Sequence, residues 1–161
     1  MGSVLKHFPG YGKNRDTHTG FSYDKTPYAT FEENYFLPFL AGIQEGAGSI
    51  LVSHNVVECI DDQMPASLST DMHQLIRDEL NFDGVIMTDD LSMDAIEDQY
   101  GVERAAVLAV LAGNDILLST HYPQQIAAVK QAVEDGEIAE SVIQEAAFRV
   151  VRWKLSLGLI Q

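Results

Sequence analysis

Hydrophobic positions along the chain follow two alternating patterns. Short continuous apolar runs, the mark of strands buried on both faces, are each followed by a stretch with apolar residues every three or four positions. Four such runs predict strands: Ser3 to Phe8, Ser49 to Ser53, Val85 to Thr88 and Ile116 to Ser119. Their spacing suits the ~30 residues of a βαβ unit. The expected fold is therefore α/β, with four βα units and parallel strands.

The helical stretches carry their own punctuation. A first helix is predicted from Thr30, where Thr30 and Glu33 have capping-box spacing. It would bury Phe31, Tyr35, Leu40 and Ile43, kink at Pro38 and stop at Gly46. A second follows Ser69 and carries Met72, Leu75, Ile76 and Leu80 at helical spacing. A third contains Ala105 to Ala112, apolar nearly all round, and ends at Gly113. The fourth runs from about Gln124 to Val133. The last, about Ala139 to Leu157, lines up Val142, Ile143, Ala146, Val150, Trp153 and Leu157 on one stripe, with Gly158 at its C′ position. No tandem repeat or low-complexity tract interrupts the series.

Composition narrows the class. The 161 residues are 46% hydrophobic and 21% charged, as in an ordinary soluble globular domain. A chain of this length can bury roughly 68–70% of its unfolded surface, enough for a core without disulfides or a metal. Cys59 is the only cysteine, which excludes an intrachain disulfide and a cysteine-based zinc cluster. With 10 Lys plus Arg against 24 Asp plus Glu, the net charge of −14 argues against nucleic acid as a partner. The longest strongly apolar run, Ala105 to Gly113, falls far short of the ~20 residues of a membrane span. No signal peptide is visible. Met1, Gly2 and Ser3 have the look of an appended leader, and Val4 enters a strand with no element before it, so that absence carries no weight.

Three motifs could carry chemistry. Lys6-His7-Phe8-Pro9-Gly10-Tyr11-Gly12 closes the first strand, where a cation and an imidazole could donate hydrogen bonds to sugar hydroxyls or an anion. Its glycines would let the loop turn sharply beside a ligand. A strand end followed by a turn reads equally well from the residue types alone. Asp16-Thr17-His18 lies in a long aperiodic stretch, uncommon inside compact domains and often functional. A carboxylate two residues from an imidazole can orient it and raise its pKa, as a general acid and base near neutrality requires. Taken alone, the pair reads more readily as surface residues.

The third motif, Gly84 to Met93, is a strand ending in Asp89 and Asp90, where parallel-sheet folds place their ligands. Strict alternation sends one carboxylate inward; Asp89 is expected in the site and Asp90 toward supporting contacts or helix capping. His54 closes the second strand and could line the same mouth. Asn114 and Asp115 suit a structural turn, and His73 and His121 suit solvent-facing positions.

In this order the motifs resemble glycoside hydrolase family 3, in its β-N-acetylhexosaminidase branch. The series is Lys-His-Phe-Pro-Gly-x-Gly, Asp-x-His, Pro65-Ala66-Ser67-Leu68-Ser69, Asp-Gly-Val-Ile-x-Thr-Asp-Asp-Leu-x-Met and Ala112-Gly113-Asn114-Asp115, over essentially the whole chain. The resemblance implies a retaining glycosidase on a TIM barrel that removes terminal N-acetyl-β-glucosaminyl units, from peptidoglycan fragments or chitooligosaccharides. It makes Asp89 the nucleophile, His18 the general acid/base and Asp16 its paired carboxylate. Lys6 and His7 would hold the sugar. No metal or organic cofactor is implied. Some members use phosphate in place of water, so phosphorolysis is a variant. The usual spacing of two carboxyl groups, roughly 5–5.5 Å, does not transfer where an imidazole replaces one of them.

Length is the departure. A TIM barrel takes about 250 residues and eight strands, and four units are readable here. The resemblance places residues 1–161 as a single partial domain, the C-terminal half of the barrel, with the helices on one face of the sheet. The bare opposite face and the two open edges would favour a homo-oligomer, such as two half-barrels closing eight strands. A catalytically inactive half-barrel that binds sugar or only self-associates is the competing reading. A flavodoxin-like binding domain is disfavoured, since Gly10-Tyr11-Gly12 is too short to cradle phosphate and opens no helix. The compartment stays open; the wording of Lys13 to His18 resembles exported bacterial relatives slightly more than cytoplasmic ones.

Overall fold

The computed structural model describes residues 1–12 and 22–161. The strands are β1 (Val4–Phe8), β2 (Tyr23–Asp24), β3 (Ser49–Val52), β4 (Val56–Val57), β5 (Val85–Asp90) and β6 (Ile116–Leu118). The helices are α1 (Tyr28–Thr30), α2 (Leu37–Gln44), α3 (Thr70–Gln74), α4 (Asp94–Tyr100), α5 (Val102–Ala112), α6 (Tyr122–Glu134) and α7 (Glu140–Ser156). The four predicted strands form one sheet in the order β1-β3-β5-β6, every pairing parallel. The short strands β2 and β4 pair separately, also in parallel.

Side-chain alternation divides the sheet into two faces. Ile50, Val52 and Ile86 join Phe8 in the main core, against Phe31, Phe36 and Phe39 before and within α2, and Met72, Leu75 and Ile76 on and after α3. Residues of opposite parity, Leu51, Val85 and Met87, meet Val150 and Trp153 of α7. That helix lies along the amino ends of the strands. Arg149 bonds Asp115 just before β6, Arg152 bonds Asp83 just before β5, and Trp153 packs beside Gly48 just before β3.

Several local expectations are met. Ser69 caps α3, its hydroxyl accepting from the Met72 N–H at 3.2 Å. Gly113 ends α5 at φ 112°, and Gly46 follows α2 at φ 84°. The predicted stripe on α7 faces the protein, though each of its residues stays half-buried. The capping box at Thr30 does not form. Pro27, extended at φ −61°, starts the helix at Tyr28, so Thr30 is already helical (φ −71°, ψ −33°) and caps nothing. A π-helical turn, Phe31–Tyr35, then breaks at Phe36, just ahead of Pro38 in the first turn of α2. Strand β5 runs two residues past its predicted end, through Asp90, because Asp90 still pairs with Leu118. Helix α4 was not foreseen from the pattern.

His73 is a correction. Expected in solvent, it is 3% exposed, its Nδ1–H donating to the Ser69 carbonyl at 2.7 Å. Burial lowers its pKa, outweighing favourable contacts with Ser69 and Asn114. His121 does stay at the surface, 3.4 Å from Glu97.

Candidate active site

The carboxyl edge of the sheet collects the groups that can do chemistry. Strand β1 delivers Lys6 and His7, and β5 delivers Asp89, from strands separated by β3. His7 Nε2 lies 3.9 Å from Asp89 Oδ2, with both side chains partly open to solvent. The other oxygen, Oδ1, accepts the Asp90 N–H at 2.9 Å. One carboxylate oxygen is thus fixed by backbone while its twin faces an imidazole. His7 rests edge-on against Tyr11, ring centroids 5.4 Å apart. Lys6, exposed, shares with His7 a cavity of about 420 Å³ lined further by Pro9, Gly10, Tyr11 and Tyr35.

Asp90 turns away from this mouth. Its Oδ1 accepts the Ser92 N–H at 2.9 Å and its carbonyl the Met93 N–H at 3.1 Å, which together shape the turn into α4. Ser92 in turn meets Thr120 at 2.8 Å, tying the loop after β5 to the loop after β6. Asp16 and His18 lie outside the described residues.

His54 was expected to line the mouth, and its position corrects that reading. It is fully buried, below the open surface. Its Nε2 meets the Asp90 carbonyl at 2.9 Å and its Nδ1 the Ser67 hydroxyl at 2.7 Å. A carbonyl only accepts, so Nε2 carries a proton, and in the neutral ring Nδ1 then accepts from Ser67. Sequence reasoning assigned Ser67 no role; its place in Pro65-Ala66-Ser67-Leu68-Ser69 was the available signal. Asn114 and Asp115 are structural, as expected. Asn114 Nδ2 donates to the carbonyls of Ser67 and Ala109, each at 2.8 Å. Asp115 lies buried between Arg77 at 2.8 Å and Arg149 at 3.1 Å, at the opposite end of the sheet from Asp89.

Among the described residues, no group of three or more His, Cys, Asp or Glu side chains could hold a metal ion. No helix among them is long and apolar enough to cross a membrane.

A parallel sheet that gathers polar and ionisable side chains at the carboxyl ends of its strands defines a βα enzyme-type scaffold. Residues 1–153 match the model of the glycosyl hydrolase family 3 N-terminal domain, and the chain belongs to that family. It is 34% identical over 134 residues to a β-hexosaminidase of Xanthomonas campestris pv. campestris, covering 83% of this chain and 40% of that one. A family 3 β-N-acetylglucosaminidase structure from Paenibacillus sp. str. FPU-7 superposes with a TM-score of 0.90 at 35% identity, over 96% of this chain and 31% of that one. The β-N-acetylhexosaminidase of Beutenbergia cavernae gives 0.80 at 33% identity, over 94% and 46%. The chain thus spans about two fifths of the length of the curated relatives it matches.

Proposed function

We propose that this chain is the C-terminal half of a (β/α)8 glycosidase barrel and that its site releases terminal N-acetyl-β-glucosaminyl units with retention. The observation that carries the reading is the meeting of Asp89 and His7 at the carboxyl edge of one parallel sheet, in a chain of this family. Asp89 is the nucleophile. With Oδ1 tied to the Asp90 N–H, Oδ2 attacks the anomeric carbon, and a glycosyl ester forms as the bond to the leaving oxygen breaks. His18, favoured as imidazolium by Asp16, gives its proton to that oxygen. The neutral ring then takes a proton from the water that hydrolyses the ester. Lys6 and His7 hold the sugar by hydrogen bonds and charge. The β-hexosaminidase and β-N-acetylglucosaminidase relatives support an amino-sugar glycan as the substrate class.

Release of 4-nitrophenol from its N-acetyl-β-glucosaminide tests this. The parent chain should release it, and Asp89→Asn should lower the rate by about 10³-fold or more. Equal rates in the two chains would remove Asp89 from the nucleophile's role. No release from either would leave this chain a fragment that needs the other half of the barrel.

A second reading, a half-barrel that self-associates, has its own observation. Strands β1 and β6 end the sheet order, with Val4 and Leu118 exposed on them. A twofold axis along the strands would set β6 beside the partner's β1, parallel as in a closed barrel.

A further inference from the structure

A buried hydrogen-bond chain ends on the carbonyl of Asp90, the residue that follows Asp89. It begins at Asn114, whose Nδ2 holds the Ser67 carbonyl at 2.8 Å, while the Ser67 N–H is fixed on the Ser53 carbonyl at 3.0 Å. The Ser67 hydroxyl donates to His54 Nδ1, and His54 Nε2–H donates to the Asp90 carbonyl. The Asp90 N–H in turn holds Asp89 Oδ1 at 2.9 Å. Asn114, Ser67 and His54 are all essentially buried, so these bonds face little competition from water.

We infer that His54 is a positioning residue for Asp89, acting through the backbone of Asp90. Strand β5 is leaving the sheet at this point, and its pairing with β6 is already irregular between Met87 and Asp90. The Met93 N–H, the other donor to the Asp90 carbonyl, belongs to the turn into α4 and not to the sheet. His54 comes instead from beside β3, the neighbouring strand, and its ring is locked by Ser67. It therefore references the Asp90 residue to the rigid sheet, and the orientation of the Asp90 N–H then sets the rotation of the Asp89 carboxylate. The inference rests on Asp89 being the nucleophile, but its geometry does not depend on turnover.

The test is nuclear magnetic resonance on the full chain. Imidazole ¹⁵N shifts, assigned to His54 by loss of the signals in His54→Gln, should show a neutral Nε2–H tautomer at pH 7; the Nδ1–H tautomer would overturn the inference. Amide exchange at Asp90 is the second readout, with the remote buried amide of Ile138 as reference. The His54→Phe substitution should speed Asp90 exchange about tenfold with Ile138 unchanged. The His54→Gln substitution, which keeps a donor near the Nε2 position, should hold it within about threefold. Equal acceleration at both amides means a merely structural role and overturns the inference, as does no change at Asp90. Should His54→Phe fail to fold, the tautomer and the His54→Gln chain still decide. Neither readout uses activity, so failure of the glycosidase reading would be seen separately, in the 4-nitrophenol assay.

Discussion

Individual buried charges show what single side chains contribute here. Asp115 accepts from Arg77, Arg149 and the Ile86 N–H, joining the turn after α3, β5, β6 and α7 through one carboxylate. Replacing it with alanine leaves two partly buried guanidinium groups without their counter-ion. Asp115→Ala should therefore cost about 3 kcal/mol, read as a fall in the urea midpoint. His73 makes a pH-dependent contribution. Its folded pKa lies below the ordinary value of ~6.5 because burial penalises the cation, and Arg77 adds to that, while Asn114 and Asp115 act in the opposite sense. Folding thus favours the neutral ring. That contribution is complete above pH ~6.5 and is lost as pH falls through the folded value. Urea midpoints at pH 7.5 and 5 should differ less in His73→Asn, which cannot titrate, than in the parent; equal differences would exclude His73 as a source.

Among elements, α7 makes the most testable contribution, because it carries the chain's only tryptophan. Trp153 packs so closely on Gly48 that a Cβ there would collide with the indole nitrogen. Gly48→Ala should push the helix outward at a cost of about 1–3 kcal/mol and red-shift tryptophan emission as the ring gains water. An unchanged spectrum and midpoint would show that α7 adapts without loss. Elements with strong periodic signals were legible from the sequence. Strands β3 and β5 read clearly because burial on both faces demands nearly unbroken apolar runs, as in Ile50 to Val52, while β1 and β6 keep an exposed side. The first helix starts ahead of the Thr30–Glu33 capping-box spacing because Pro27, three residues before Thr30, already caps it. Helix α4 escaped notice, being short and carrying only Ala95 and Ile96 as buried residues. At the site, the alternation of β5 turns the Asp89 and Asp90 carboxylates to different partners, His7 and the Ser92 N–H. It gave no sign that His54 would turn beneath the strand end, since that placement depends on the tertiary meeting with Ser67.

For the whole molecule, apolar surface and net charge oppose each other. Among the described residues the sheet has two open edges, and α7 leaves Phe148, Val151 and Leu155 exposed along one face, at the three- and four-residue spacings of a helical stripe. Unpaired strand edges and a contiguous apolar stripe favour association. Each copy also carries a net charge of −14, so two copies repel over a distance set by the ionic strength. The Debye length falls from about 30 Å at 0.01 M salt to about 3 Å at 1 M, short enough to leave contacts across an edge essentially unopposed. If the half-barrels pair, light scattering should give a molar mass near that of one chain, 17.8 kDa, at low salt and about twice that at high salt. Phe148→Glu, which puts a charge into the stripe and adds to the repulsion, should move the transition to higher salt. A single-chain mass at every ionic strength would end the pairing hypothesis and leave the open edges to be covered by a different polypeptide.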